Sequence, residues 1–276
     1  MKYFLKTGIS REDYENRFKR PKRTLAPVLF EASPQYLYSS PIEARRATLK
    51  RMKAIVPDAK FIICLRHPIA RAFSHYIYDL HYFAQYGKFF GKGTEKSFLS
   101  HPYRRSFAKS KVWKMRYAEN LELLLEFFDP ENVTFFVLER DATSVQDFFK
   151  RLCAFVEEPN DAKIPERAIK PARKCGILPY YQYDESAREF KICTRFGSTV
   201  LDGVTPEEAD IALSARNAWT ASVTESEALE LYREYLMEDF EAFLKLAKNC
   251  VGGTELPRYS DKIEALAAEE YECSAA

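Results

Sequence analysis

Apolar positions along this chain fall into two kinds of pattern. Two runs are short and continuous, in "PDAKFIICL" and "NVTFFVLE". Such a run, bounded by turn residues, predicts a strand buried on both faces, as in a parallel sheet. The second pattern recurs at three and four residues and predicts helices. One helix covers residues 41–55, with Pro41 at its start and a basic face of Arg45, Arg46 and Lys50. Another covers residues 68–80, with Pro68 in its first turn. "RYAENLELLLEFFDP" sets Tyr117, Leu121, Leu124, Leu125 and Phe128 on one side and stops at Pro130. "TSVQDFFKRLCAFV" does the same with Val145, Phe148, Phe149, Leu152 and Val156. From Thr224 a long helix runs to about residue 248, capped by Thr224 and Glu227, with Leu229, Tyr232, Leu236 and Phe243 on its inner stripe.

The remaining stretches are less periodic. "GISREDYENRFKRP" predicts a short helix that Ser10 and Asp13 cap and Pro21 ends. Pro27 to Phe30 predicts a strand, with a turn at Ser33-Pro34. Residues 81–112 combine glycine, lysine and aromatics without a period and read as a long loop. Residues 157–222 hold several prolines and isolated basic residues. Strands alternating with helices predict an α/β fold, a central parallel sheet flanked by helices. The expected organisation is one domain over residues 1–250 and a peripheral tail over 251–276.

Composition narrows the functions more than the fold. The 276 residues, 46% of them hydrophobic, can bury a sizeable core. With 42 basic and 40 acidic residues the net charge is +2, so no whole-protein field draws nucleic acid. No apolar run is long enough to span a bilayer, and "MKYFLKTGIS" lacks the body of a signal peptide. The six cysteines, Cys64, Cys153, Cys175, Cys193, Cys250 and Cys273, form no CxxC pair, and His is scarce, which argues against a metal site. Cys64 lies inside an apolar run and reads as a small buried hydrophobe.

Chemistry concentrates where the first run ends, in "KFIICLRHPIARAFSHY". Arg66 closes the strand and Pro68 opens a helix. Ligands of open α/β sheets bind outside the carboxyl ends of the strands. A helix N-terminus there adds backbone N–H groups and a partial positive charge. Arg66 supplies a planar fork of donors suited to phosphate. Ser74 supplies a hydroxyl, and Arg71, three residues earlier, can share its face. The plainer alternative pairs Arg66 with a surface carboxylate and leaves Ser74 in water.

This segment resembles the 3′-phosphate-binding segment of sulfotransferases that use 3′-phosphoadenosine 5′-phosphosulfate (PAPS), closest to the heparan-sulfate branch and its microbial and algal relatives. The family pattern falls on Leu65, Arg66, Pro68, Arg71, Ala72, Ser74 and Tyr76. The resemblance implies a P-loop-NTPase-like sulfotransferase fold in which Arg66 and Ser74 hold the 3′-phosphate, with Arg71 beside them. His67, where many relatives carry Asn or Asp, is expected to cap the helix or face solvent. "FEASPQYLYS" resembles the family's Glu-Lys-Ser/Thr-Pro-x-Tyr segment through Glu31, Ser33, Pro34 and Tyr36, with Ala32 in place of the lysine. The match weakens over residues 157–222, where many relatives close a Lys-Gly-Arg loop over the cofactor. Arg216 is the candidate replacement. Cys175 and Cys193 are either the disulfide that brackets such a loop or two thiols.

By the same resemblance the co-substrate is PAPS and the product adenosine 3′,5′-bisphosphate, with no metal. The acceptor is a hydroxyl or amine, small or part of an oligosaccharide. "RFKRPKR", with Arg20, Lys22 and Arg23, either meets an anionic acceptor or is a solvated helix end. The family also uses a Lys-x-Gly-Thr-Thr-type cradle for the phosphosulfate and a glutamate base. Neither is found. "GKFFGKGTEKS" follows the 3′-phosphate segment without a buried strand to feed it, and reads as a solvated loop. Lys2-Tyr3-Phe4 resembles the end of the segment that carries the glutamate. The first strand, the cradle and the glutamate are therefore expected upstream of Met1. Two functions stay open: a PAPS-dependent transferase, and an inactive sulfotransferase-like module that recognises the bisphosphate. The compartment is the Golgi lumen if an anchor precedes the chain and the cytoplasm otherwise; oligomeric state is not set.

Overall fold

The computed structural model describes residues 4, 8, 10–16, 30–32, 36–37, 41–85, 116–159, 180–184, 186–187, 189–194, 197–200, 222–259 and 266–267. The chain divides into two compact units, each assembled from separate segments. Their limits are Met1–Arg66, Arg116–Pro171 and Met237–Arg258 for the first, and His67–Met115, Ala172–Leu236 and Tyr259–Ala276 for the second.

In the first unit, helices α1 (Arg11–Asn16) and α2 (Ile42–Ile55) precede strand β1 (Phe61–Leu65). Ser10 and Asp13 exchange backbone-to-side-chain bonds at 3.1 Å, the reciprocal cap expected for α1. The basic face of α2 is answered by acid: Arg45 binds Glu119 and Asn120, and Arg46 pairs with Glu126. Those partners belong to or follow the helix after Arg116, α4 (Ala118–Leu125). Strand β2 (Val133–Val137) pairs with β1 in parallel, from Phe61 opposite Val133 to Leu65 opposite Val137. A short helix α5 (Leu138–Asp141) and a longer α6 (Val145–Val156) follow. The parallel pair with its helices is α/β, as the periodicity predicts.

The two apolar runs differ in burial. Along β2, Val133, Phe135 and Val137 are buried and Thr134 and Phe136 half-buried, the alternation of a strand covered on one face. Along β1, Leu65 is buried, Phe61 to Ile63 are half-buried and Cys64 is exposed. This corrects the expectation that Cys64 is a core residue. The physical reason is position: β2 lies between β1 and a bridge to Val251, whereas β1 pairs with β2 alone among the described residues. The face of α6 is likewise half-buried at Val145, Phe148, Phe149, Leu152 and Val156, and its buried residues are Cys153 and Phe155. Fully buried large side chains of this unit include Leu121, Leu123 and Leu124 of α4, Phe128, and Phe240 and Phe243 of helix α8 (Met237–Ala247). Each such side chain is worth about 1.5–3 kcal/mol when withdrawn from water.

The second unit contains α3 (Pro68–Gln85), the antiparallel meander β3 (Tyr180–Asp184), β4 (Glu189–Thr194) and β5 (Gly197–Val200), the two-residue strand β6 (Ser222–Val223), helix α7 (Glu225–Tyr235), and β7 (Leu266–Ala267), which pairs with β6. Helix α3 runs to Gln85, past the expected end at residue 80. The helix expected from Thr224 to about residue 248 is two helices. Leu236 leaves helical geometry at φ −128° and ψ −18°, and α8 restarts at Met237 with Glu238 and Asp239 in its first turn. The capping box of Thr224 and Glu227 is present. The strand expected at Pro27 to Phe30 falls outside the described residues except for Phe30, which is exposed and not in a strand.

Candidate functional site

Arg66 is the half-buried residue after β1 and the last of the first unit. Its main chain is held from one side. The Tyr117 hydroxyl donates to the Arg66 carbonyl at 3.0 Å. Tyr117 is 6% exposed and sits at the N-cap of α4, its ring 6.0 Å from that of Phe240 and 5.6 Å from that of Phe243. As an N-cap, Tyr117 makes no side-chain hydrogen bond to the helix. The orphan amides of α4 are taken by another helix: the Asp239 carboxylate of α8 accepts from the N–H of Tyr117 at 2.6 Å and of Ala118 at 3.4 Å. Burial pushes the Asp239 carboxyl above the ordinary range, against the pull of those two amides and of Arg116, and Glu119 adds to the rise.

His67 opens the second unit and is 6% exposed. Its Nδ1 accepts the Ile69 N–H at 3.1 Å, and its carbonyl accepts the Arg71 N–H at 2.8 Å. The ring lies 4.6 Å from that of Tyr259 and 5.8 Å from that of Tyr232. His67 is thus a buried cap of α3, one of the two expected roles. An Nδ1 that accepts leaves the ring proton on Nε2. The cap also reduces what the helix offers an anion. Pro68 has no N–H, and the amides of Ile69 and Arg71 are already used. Among the described residues, Ala70 is left with the first-turn amide that no protein acceptor takes. Arg71 and Ser74 are half-buried on α3, in the second unit.

The "FEASPQYLYS" segment is described in part. The Tyr36 hydroxyl donates to Glu31 Oε1, and Glu31 Oε2 is buried without a partner among the described residues. Phe4 packs edge-on against Tyr36 at 5.7 Å. Ala32, at the lysine position of the family pattern, is exposed. Arg20, Lys22, Arg23, Ser33, Pro34, residues 87–97, Cys175 and Arg216 lie outside the described residues. Tyr76 is described in backbone only. Among the described residues no group of three or more His, Cys, Asp or Glu could share a metal ion, and no helix is long and apolar enough to cross a membrane. The sequence marks Tyr117 only as a core position, and nothing in it signals its bond to Arg66 or the cap from Asp239.

No protein-family profile and no curated protein matches this chain. Among solved structures it is similar to a sulfotransferase from Alicyclobacillus acidocaldarius, with 24% sequence identity and a TM-score of 0.32. The match covers 48% of this chain and 52% of that one, about half the length of the solved protein. A score of that size does not establish a shared fold.

Proposed function

We propose that this chain is a sulfotransferase that moves the sulfuryl group of PAPS to a hydroxyl or amine of a glycan acceptor and releases adenosine 3′,5′-bisphosphate. The observation that carries the reading is the junction at Arg66. A parallel strand ends at an arginine, a helix capped by His67 begins two residues on, and Arg71 and Ser74 follow within its first two turns. In this reading Arg66 and Ser74 bind the 3′-phosphate, Arg71 adds charge, and the Ala70 N–H is the backbone donor. Arg216 covers the cofactor, and Arg20, Lys22 and Arg23 meet an anionic acceptor. In the reaction, the acceptor atom bonds to sulfur as the bond from sulfur to the 5′-phosphate oxygen breaks. The acceptor proton passes to a base. No residue of this chain is assigned as that base.

One feature favours a second reading, a module that binds the bisphosphate and transfers nothing. Among the described residues neither parallel strand runs into a glycine-rich loop. After β1 come Arg66, His67 and Pro68, and after β2 comes α5. A phosphosulfate cradle needs such a loop after a strand. Calorimetry with adenosine 3′,5′-bisphosphate tests what the two readings share. Arg66→Ala should weaken binding at least about tenfold, since a hydrogen bond to a charged group is worth about 1.5–3 kcal/mol, and Ser74→Ala should cost less. A folded Arg66→Ala protein that binds normally overturns both. Transfer of labelled sulfate from PAPS to a panel of glycans separates them.

A further inference from the structure

We propose that Tyr117 is a positioning residue for the anion site, acting through the main chain of Arg66. The inference rests on the reading of Arg66 as a phosphate ligand. An arginine at the end of a strand has a flexible side chain, and its reach is set by where the backbone delivers its Cα. A carbonyl at a strand end finds its donor either in the protein or in water. Here it accepts the Tyr117 hydroxyl at 3.0 Å.

That hydroxyl is well anchored. Phe240 and Phe243 pack against the ring, and Tyr117 is 6% exposed. Its own amide is pinned at 2.6 Å by Asp239 from the same helix that carries those two rings. Helix α8 therefore holds Tyr117 by both ends, and Tyr117 holds the Arg66 carbonyl. Core packing alone does not call for this arrangement, because phenylalanine would fill the same space. The hydroxyl adds one thing, a fixed orientation for the peptide that joins Arg66 to His67. In a site that binds a phosphate through Arg66, such pre-organisation lowers the ordering cost of binding. The residue makes no contact with the ligand in this account.

Tyr117→Phe removes the hydroxyl and keeps the ring. Hydrogen exchange at the His67 amide and affinity for two probes, adenosine 3′,5′-bisphosphate and adenosine 5′-monophosphate, are measured in the full chain. The variant should exchange faster at His67. It should also lose about fivefold of its preference for the bisphosphate, the scale of one neutral hydrogen bond, with binding of the monophosphate unchanged. In an Arg66→Ala background the same change should have no further effect on binding. If Tyr117→Phe matches the wild type in exchange and in preference while Arg66→Ala loses the bisphosphate, the positioning role is overturned and the anion site stands. If exchange rises in Tyr117→Phe but the wild type shows no preference for the bisphosphate, the anion site falls, and the proposal with it. An equal loss for both probes marks a merely structural role and also overturns it.

Discussion

At the scale of single residues, chemistry and position pull against each other at the carboxylate of Asp239. Burial penalises its charge, while two amides of α4 and the nearby Arg116 favour it, and the net effect is a carboxyl raised above the ordinary range. A group whose folded pKa is raised binds a proton more readily in the native state. Its contribution is therefore fully present below the unfolded value, about 3.9 for aspartate, and is lost as pH rises through the folded value. Asp239→Asn keeps an acceptor for both amides and carries no charge. Its stability relative to wild type should rise with pH across that window in urea unfolding, and parallel profiles would refute the assignment. Asp239→Ala removes the cap and should cost about 1 kcal/mol in acid, a cost that shrinks as pH rises through the folded value. None of this was legible in the sequence, where Asp239 is one more acid inside an amphipathic stretch. The bond that makes it matter joins residues 122 positions apart. His67 was legible to a degree, because a residue before proline at a helix start is a natural cap whatever the rest of the fold does.

At the scale of elements, local pattern was a good guide where one neighbour decides the structure and a poor one where several do. Strands β1 and β2 and helices α2, α4 and α6 stand where their periodicity puts them. The meander β3–β5 was not foreseen, because its first hairpin lacks glycine or proline at the turn. Asp184 makes the turn instead, its Oδ1 accepting from the amides of Ser186 and Ala187 at 3.1 Å. The break at Leu236 was invisible for a related reason. Tyr-Leu-Met-Glu has no helix breaker, and a restart with acids in its first turn looks the same in sequence as an uninterrupted helix. The segment after α8 depends on two glycines. The backbone turns at Gly252, with φ +70°, and a Cβ on Gly253 would stand 1.6 Å from the carbonyl oxygen of Ala247. Nothing flexible can yield there, so Gly253→Ala should destabilise by more than about 2 kcal/mol. It should also loosen the bond from the Val251 amide to the Val133 carbonyl, at 3.0 Å, that ties this segment to β2. Unchanged thermal stability in that variant would show that the segment adapts at no cost.

At the scale of the whole molecule, charge gives a stability profile that can be worked out in sign. With a net charge of +2 at neutrality, the chain grows steadily more positive in acid, and the native state must then hold itself against repulsion. Several carboxyls lie below their ordinary range. Asp13, Asp147, Glu157 and Asp184 are exposed enough that water screens most of their effect. Asp141 is different, at 2% exposed. Burial would push it up, but bonds from the Arg140 side chain and the Val137 amide, with the charges of Arg140 and Arg151, outweigh that and hold it down. A depressed carboxyl stabilises the fold above its unfolded value, about 3.9, and that contribution is lost as pH falls through the folded value. The lever is large because Asp141 joins three pieces at once: the last residue of β2, its own helix α5, and Arg151 of α6. Its loss would leave two arginines beside an unanswered strand-end amide. Asp141→Ala should cost about 1–3 kcal/mol near neutrality, mainly for the Val137 amide left without an acceptor, since Arg140 and Arg151 are exposed enough for water to answer them, and that penalty should shrink progressively below about pH 4. Asp239 works in the opposite direction on the other side of that value: its gain comes as pH falls from the raised folded value to about 3.9 and is complete where the Asp141 loss begins, so wild type and Asp239→Asn should diverge above about pH 4 and run parallel below it. Melting temperatures of wild type, Asp141→Ala and Asp239→Asn between pH 3 and pH 7 resolve the two contributions. A penalty for Asp141→Ala that stays constant across that range would mean that its packing matters and its charge does not.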